Sequence, residues 1–260
     1  MPEGDTIHYA ARRIRAVLLD RVPDLIEMPQ RRHANERWPE RLAGRAVRAV
    51  DAYGKHLFVR FEDDLTLHSH LRMTGSWGVH REGARWKRAP RRAWIVIAAG
   101  EWRVVEFDGP LLELTSDGRT RTDPRIAALG PDVIGERAAD AEDFLARLHA
   151  QDPARALGDA LLDQRIVAGI GNVWKSEACF ALAVNPWRPL GRVRDEEASA
   201  IFAFARERMR HSAEVDGFST RPRAVYKRSG RPCERCGTLI RSHGQGDDNR
   251  TTYWCPGCQL

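Results

Sequence analysis

The sequence lacks any long apolar run. In its 260 residues, no stretch approaches the ~18 consecutive apolar residues that a membrane-spanning helix needs. The first twenty residues carry acids and three arginines where a signal peptide would need an apolar segment. We therefore expect a soluble, cytoplasmic, globular protein with no membrane partner and with enough chain for one sizeable core or two smaller ones.

Lysine is scarce. Of 42 basic residues, only four are lysines: Lys55, Lys87, Lys175 and Lys227. The chain otherwise uses arginine, whose guanidinium stays charged, so few amines with an adjustable pKa are present. The basic residues outnumber 36 acidic ones and leave a net charge of +6. This modest excess is consistent with a polyanionic partner but does not by itself identify one.

Cysteine is also too sparse for a disulfide scaffold. Four of the five cysteines form two pairs near the end of the chain, Cys233-x2-Cys236 and Cys255-x2-Cys258. Each pair can direct two thiolates toward one ion, and this spacing in a reducing compartment is typical of a structural zinc site. The pattern predicts one zinc ion in a ribbon whose forty residues could not build a core alone. The alternatives are free thiol pairs or a redox dithiol.

The hydrophobic periodicity changes along the chain. Near the start, apolar residues at 3–4 spacing predict a helix capped by Asp5 or Thr6. Between Val47 and Leu114, short alternating runs separated by turns predict an antiparallel sandwich or barrel. After Asp123-Pro124 the helical periodicity returns. The first half is therefore expected to be mainly β and the second half mainly helical.

The opening Pro2-Glu3-Gly4 has the composition of a reactive terminus. Removal of Met1 would expose a secondary amine on Pro2, and an α-amino group titrates near ~7.7–8.0, so much of it is neutral at cellular pH. Such an amine can attack an aldehydic carbon. Glu3 would supply the proton that the reaction needs, and Gly4 would allow close approach. The alternative is a processed, disordered start.

A second glycine-rich motif, Gly169-Ile170-Gly171-Asn172, lies between two helical segments. A sharp turn there would point backbone N–H groups and the Asn172 amide outward at a helix N-terminus, where a phosphate is favoured. The alternative is a tight connection between helices with Asn172 as the N-cap.

Six motifs in chain order resemble the bacterial formamidopyrimidine-DNA glycosylase and endonuclease VIII family of base-excision repair enzymes, and the resemblance covers the whole chain. The motifs are Pro2-Glu3-Gly4, Tyr53-Gly54-Lys55, His70-Leu71-Arg72-Met73-Thr74-Gly75-Ser76, Leu129-Gly130-Pro131-Asp132, Gly169-Ile170-Gly171-Asn172 and Tyr253-Trp254-Cys255-Pro256-Gly257-Cys258.

The resemblance implies a bifunctional DNA glycosylase and AP lyase with an α+β fold. Residues 1–124 would form an N-terminal helix and an antiparallel β-sandwich. Residues 125–219 would form a helix-two-turn-helix domain, and residues 220–260 a β-hairpin zinc finger. The partner would be damaged DNA, double- or single-stranded, clamped by a monomer.

The resemblance also implies roles for four catalytic residues. Pro2 would be the nucleophile on C1′ of the damaged nucleotide, and Glu3 the acid that assists base loss and sugar-ring opening. Lys55 would transfer protons during β-elimination, and Arg250 would bind backbone phosphate and support δ-elimination. Without the resemblance, Lys55 and Arg250 would be interpreted as an exposed strand lysine and an ordinary hairpin arginine.

Three further residues correspond to DNA-binding positions of the family. Asn172 would bind a DNA phosphate, and Arg72 would contact DNA. Met73 would fill the gap left by a flipped base, work that suits a long flexible apolar side chain. Because Leu71 alternates with Met73, the pattern alone also allows a core methionine.

Two departures concern the substrate. The formamidopyrimidine branch places an arginine and a phenylalanine opposite the lesion, whereas the comparable stretch here reads Phe107-Asp108-Gly109-Pro110-Leu111-Leu112. The segment Val215 to Pro232 is also short for a loop that covers an oxidised purine. Both favour an endonuclease VIII-like enzyme acting on oxidised pyrimidines, although Met73-Thr74-Gly75 is closer to the other branch. The alternatives are an oxidised-purine (formamidopyrimidine or 8-oxoguanine) glycosylase and a noncatalytic zinc-ribbon DNA-binding protein.

Overall fold

The structure, a computed structural model, describes residues 2–30, 35–135, 137, 140–218 and 220–260. The chain divides into two compact units. Unit 1 holds Pro2 and Thr6–Ala127, and unit 2 holds Glu3–Asp5 and Ala128–Leu260. The expected division into three parts stays a prediction.

Unit 1 is built from one long helix and two antiparallel sheets. Its elements in chain order are α1 (Gly4–Leu18, whose first two residues group with unit 2), β1 (Leu25–Glu27), α2 (Trp38–Leu42), β2 (Val47–Tyr53), β3 (His56–Phe61), β4 (Leu65–His70), β5 (Ser76–Arg81), β6 (Ala93–Ala99), β7 (Trp102–Phe107), β8 (Leu111–Ser116), α3 (Asp117–Thr122) and α4 (Pro124–Ala127). A short 3-10 turn at Pro90–Arg92 precedes β6.

The two sheets have four strands each. One has the order β2-β3-β4-β8 and the other β1-β6-β7-β5. Tight turns join neighbouring strands: Asp63 and Asp64 have φ of 57° and 56° between β3 and β4, and Gly100 has φ of 53° between β6 and β7. The register pairs His56 with His70, so these two side chains project from the same face of their sheet.

Alternate strand residues and one face of α1 form the core of unit 1. Fully buried positions include Ile14 on α1, Val59 and Leu67 on one sheet, and Ile97 and Val104 on the other. The predicted helix and its buried face are confirmed.

The expected cap of that helix is different. The helix begins at Gly4, so Asp5 lies inside its first turn and is fully buried. Its carboxylate is engaged in unit 2, as described below.

Unit 2 contains helices followed by one hairpin. Its elements are α5 (Asp140–His149), α6 (Leu157–Ala160), α7 (Asn172–Ala181), α8 (Asp195–Val215), β9 (Arg241–Gln245) and β10 (Arg250–Trp254). Phe144 of α5 stacks on Phe202 of α8, with ring centroids 5.1 Å apart, inside a core of buried aliphatic residues. The mixed helix and sheet architecture predicted from the sequence is confirmed. Within the described part of the chain, no helix is both long enough and apolar enough to cross a membrane.

Candidate active site and cysteine cluster

The carboxylate of Glu3 occupies the N-terminus of α7. Its oxygens accept hydrogen bonds from the backbone N–H groups of Gly171 (3.1 Å), Val173 (2.9 Å) and Trp174 (3.3 Å), and the side chain is fully buried. A helix leaves such N–H groups without a partner in its first turn, and its dipole favours an anion there. The expectation that these N–H groups point outward to a phosphate is therefore wrong, because Glu3 already uses them.

The glycines of both motifs make this contact possible. The N–H of Gly4 donates to the carbonyl of Gly169 (2.9 Å), and a Cβ added to Gly4 would lie 2.9 Å from the Gly169 Cα. Gly169 has φ of 101°, a conformation that other residues rarely adopt. A Cβ on Gly171 would overlap the Glu3 carboxyl group. Two motifs far apart in the sequence thus form one close-packed contact.

Asp5 forms a second anchor for the start of the chain within unit 2. Its carboxylate accepts hydrogen bonds from Nε of Arg221 (2.8 Å), Nε1 of Trp174 (3.0 Å) and Oγ of Ser212 (2.8 Å). Asp5 is fully buried and Arg221 almost so. A buried ion pair needs such additional hydrogen bonds to offset its desolvation. Residues 3–5 therefore have a defined position, and Pro2 directly precedes them.

Asn172 links the same turn to the hairpin. Its Nδ2 donates to the carbonyl of Thr251 (2.6 Å), whereas its buried Oδ1 has no hydrogen-bond partner among the described residues. Gly171 is the N-cap, so the N-cap alternative for Asn172 is wrong. Arg250 directly precedes Thr251 on β10; its side chain is 47% exposed, and its Nε lies 3.8 Å from Asp248. Unit 2 thus brings Asn172 close to the strand that carries Arg250.

Lys175, not chosen from the sequence, is a second tie between α7 and β10. Its Nζ donates to Oγ1 of Thr252 (2.6 Å), and that hydroxyl donates to Oε1 of Gln245 (2.6 Å). The side chain is fully buried, and burial lowers the pKa of Lys175 to about 8. The scarcity of lysine was the only sequence signal that singled it out.

Lys55 lies in unit 1, in the turn between β2 and β3. The preceding Gly54 has φ of 56°, which a tight turn requires. Burial, followed by the positive charges of Lys55 and Arg72, lowers the pKa of His70 to about 4. Lys55 and Arg72 therefore both act electrostatically on His70 within unit 1.

Met73 is exposed at the tip of the loop between β4 and β5. Its exposed fraction is 60%, so the alternative of a core methionine is wrong. The preceding Arg72 is also exposed and has φ of 43°. Leu71, in contrast, is 1% exposed and fixes one end of the loop in the core. The loop thus exposes the long apolar side chain of Met73 to solvent, while Leu71 holds the start of the loop in the core.

The four paired cysteines form one cluster. Their sulfur atoms all lie within 4.8 Å of one another, with Cys233 Sγ to Cys258 Sγ at 3.8 Å and Cys236 Sγ to Cys255 Sγ at 3.4 Å. Each close pair joins one motif to the other. The cluster could therefore hold one metal ion between the two motifs.

Comparison with known proteins identifies the family. Residues 1–110 match the formamidopyrimidine-DNA glycosylase N-terminal domain, and residues 129–224 match the H2TH domain of the same enzymes. The chain belongs to the formamidopyrimidine-DNA glycosylase family. It is a base-excision repair enzyme, a DNA glycosylase with AP lyase activity.

The relatives span the whole chain. A "Probable endonuclease 8 2" of Streptomyces coelicolor is 42% identical, covering 100% of this chain and 94% of its own length. The "DNA-(apurinic or apyrimidinic site) lyase Nei2" of Mycolicibacterium smegmatis is 38% identical, covering 100% of this chain and 99% of its own length. A solved complex of Lactococcus lactis Fpg with DNA containing an abasic site has a TM-score of 0.82 at 21% identity over 99% of both chains, which shows the same fold.

Substitution of Gly171 by alanine should impair catalysis through Glu3. The added methyl group displaces the Glu3 carboxylate, and a misplacement of about 1 Å near reacting groups can cost about 100-fold in rate. We expect a loss of that order in the single-turnover rate of strand cleavage at an abasic site.

Gly118 of α3 provides the matched control. A Cβ there meets no atom within 4 Å, so Gly118→Ala should leave the rate unchanged. Equal rates for Gly171→Ala and the parent protein would show that the Glu3 contact does not matter to the reaction.

Proposed function

We propose that this enzyme removes oxidised pyrimidines from DNA and cleaves the strand by β,δ-elimination, with the amine of Pro2 as nucleophile. The observation that carries the proposal is the insertion of Glu3, the residue that follows Pro2, into the start of α7. We further propose that the enzyme acts on chromosomal DNA in the bacterial cytoplasm, as a monomer.

Pro2 supplies the covalent step. Its neutral amine attacks C1′ of the damaged nucleotide, the N-glycosidic bond breaks, and the base leaves with the bond electrons and a proton. The C1′–O4′ bond then breaks, O4′ takes up a proton, and the nitrogen lone pair forms an iminium ion with C1′. Loss of a proton from C2′ expels the 3′ phosphate, and a second elimination expels the 5′ phosphate. A terminal amine suits this chemistry because it is far less basic than a lysine amine.

Glu3 assists base loss and opening of the sugar ring by transferring protons beside Pro2. Its three N–H donors hold the carboxyl group in a buried place, and once the group has given up its proton, its negative charge favours the cationic iminium. Glu3 therefore combines a positioning contact with an electrostatic one.

Three further residues assist the reaction. Lys55 transfers protons, whereas Asn172 and Arg250 bind the DNA backbone. Lys55 moves protons during β-elimination, and its charge already acts on neighbouring His70. Asn172 and Arg250 bind backbone phosphate from adjacent parts of unit 2, and Arg250 supports δ-elimination. The hydrogen bond between Asn172 and Thr251 supports this pairing, because it ties the α7 turn to the strand of Arg250.

Met73 is the wedge that enters the gap left by the flipped base, with Arg72 contacting DNA beside it. The exposure of this large apolar side chain, 60% open to solvent, supports the role.

Zinc is the metal we propose for the four cysteines, one ion per chain. A tetrahedral zinc ion with Zn–S bonds of about 2.3 Å places sulfur atoms about 3.8 Å apart, close to the observed separations of 3.8 and 3.4 Å. Cys233 and Cys255 also pack against Phe180, Val225 and Ile240 in a small core. The zinc would therefore stabilise the fold around the hairpin that carries Arg250 rather than take part in the chemistry.

The preference for pyrimidines rests on enclosure. A flipped purine needs a covering loop that supplies donors and excludes water, and the segment from Val215 to Pro232 is short, with residue 219 outside the described part. The stretch after β7 enters β8 at Leu111 and offers neither arginine nor phenylalanine. A relative named "Formamidopyrimidine-DNA glycosylase", from Ligilactobacillus salivarius, is 28% identical to this chain, against 42% for the "Probable endonuclease 8 2" cited above.

Borohydride should trap a covalent adduct between the protein and abasic DNA, because it reduces the iminium to a stable amine. An extra residue in front of Pro2 removes the secondary amine and should abolish the adduct. Lys227→Ala, which removes an exposed lysine of unit 2, should leave the yield unchanged. An adduct that survives the blocked terminus would contradict the role of Pro2, and no adduct with the parent protein would favour a noncatalytic DNA-binding protein.

Arg250→Ala should weaken DNA binding and reduce its salt dependence. One lost phosphate contact lowers the slope of log K against log salt by about 0.9, which is measurable by titration of an abasic-analogue duplex.

Metal analysis should find one zinc per chain, and removal of the zinc should weaken DNA binding as much as Arg250→Ala does. Full DNA affinity in the metal-free protein would refute the link between the zinc and Arg250.

Thymine glycol should be removed faster than 8-oxoguanine opposite cytosine. The smaller lesion needs less enclosure, and the lack of an arginine and a phenylalanine opposite the lesion reduces discrimination of the opposing base. Single-turnover rates on the two duplexes decide the matter. Faster removal of 8-oxoguanine would assign the enzyme to the oxidised-purine branch.

A further inference from the structure

A strongly basic loop joins β5 to β6 in unit 1. Of the eight residues from Arg85 to Arg92, five are basic and none is acidic. We call residues 85–92 the basic loop. None of the functional roles above involves the basic loop, although it holds five positively charged side chains within eight residues.

One aromatic residue anchors the loop to the sheet below. The ring of Trp86 packs edge-on against Phe107 of β7, with centroids 5.5 Å apart, and its centroid lies 6.1 Å from that of His80 on β5. Trp86 thereby joins a small buried cluster that includes Ala93 and Val105. This packing is one of the contacts that fix the backbone of the loop.

Two arginines anchor the loop to its neighbours. Nη1 of Arg88 donates to the carbonyl of Thr74 (2.8 Å) and to Oδ2 of Asp108 (2.6 Å), and Nε of Arg92 donates to Oδ1 of Asp108 (2.9 Å). Burial alone would raise the pKa of Asp108, but the bonds from Arg92 and Arg88 outweigh it and lower the pKa. Thr74 directly follows Met73, so these bonds tie the basic loop to the loop that carries the proposed wedge.

Three cations of the loop are left for an external partner. Arg85, Lys87 and Arg91 are exposed, and none forms an ion pair with an acid in the described part of the chain. Residues 84–90 also line a cleft of about 490 Å³. Exposed like charges without internal partners favour a polyanion, and a rigid loop holds them at a fixed distance from Met73.

We propose that the basic loop binds the DNA backbone beside the lesion through Arg85, Lys87 and Arg91. Arg88, Asp108 and Trp86 are positioning residues that fix the loop against the Met73 loop. Because Arg88 bonds the backbone of Thr74, a phosphate held by the basic loop and a side chain inserted by Met73 have a fixed separation. That the basic loop contacts DNA follows from the DNA binding of the family. Only the position of this contact along the duplex rests on the proposed role of Met73 as the wedge.

The test replaces Arg85, Lys87 and Arg91 together by glutamine and measures binding to a short duplex with a tetrahydrofuran abasic-site analogue. Each lost phosphate contact lowers the slope of log K against log salt by about 0.9. In the triple variant the magnitude of the slope should therefore fall by about 2.7. Between about 50 and 200 mM salt, the affinity of the variant should drop by a factor about 40 times smaller than that of the parent protein. An unchanged slope would overturn the proposal.

A second triple variant, with Arg37, Arg41 and Arg48 replaced by glutamine, removes the same charge elsewhere in unit 1. Arg37 and Arg48 are paired with acids of the protein itself, so this control should keep the parent slope. An equal loss in both variants would assign the effect to net charge and overturn the proposal.

Borohydride trapping of the loop variant separates this proposal from the proposed function. At saturating protein and low salt, the variant should still form the Pro2 adduct. If Pro2 is not the nucleophile, the Pro2 adduct is absent from the parent protein and the variant alike, while the difference in salt slope between them remains.

Discussion

The carboxylate of Glu3 at the start of α7 is the contact on which the proposed chemistry depends. A free chain end is normally among the most mobile parts of a protein, yet a nucleophile must keep its productive position to within about 0.5 Å. Three backbone N–H groups of unit 2 fix the position of Glu3, the residue after the proposed nucleophile. The glycines at 4, 169 and 171 are required because a side chain at any of them would strain or displace the contact.

A buried ion pair reinforces the same arrangement two residues further on. Asp5 and Arg221 are buried together with hydrogen bonds from Trp174 and Ser212. Loss of either charged partner would leave a buried charge unpaired, a change that costs about 3–5 kcal/mol. On the other side of the α7 turn, Asn172 and Lys175 hold β10, so the turn carries contacts to both the chain start and the hairpin.

Local patterns predicted the parts of the fold that depend on local physics. The spacing of the four cysteines predicted their cluster, and the apolar repeat of the first helix predicted its buried face. The contacts of Glu3 with Gly171, of Asp5 with Arg221 and of Lys175 with Thr252 could not be predicted in this way. Each joins residues more than 70 positions apart, and no periodicity records such a pairing. Asp5 shows the consequence, since its place in the sequence predicted a cap and its carboxylate instead binds a distant arginine.

A double-mutant cycle between Glu3 and Gly171 tests the central claim most directly. The measured quantity is the rate of adduct formation with abasic DNA under borohydride, for Glu3→Ala, Gly171→Ala and the double variant. Because the methyl group of Gly171→Ala acts by displacing the Glu3 side chain, it should slow the parent protein and cost nothing further once Glu3 is alanine. Independent losses that multiply in the double variant would contradict the claim that the α7 turn acts on the reaction through Glu3.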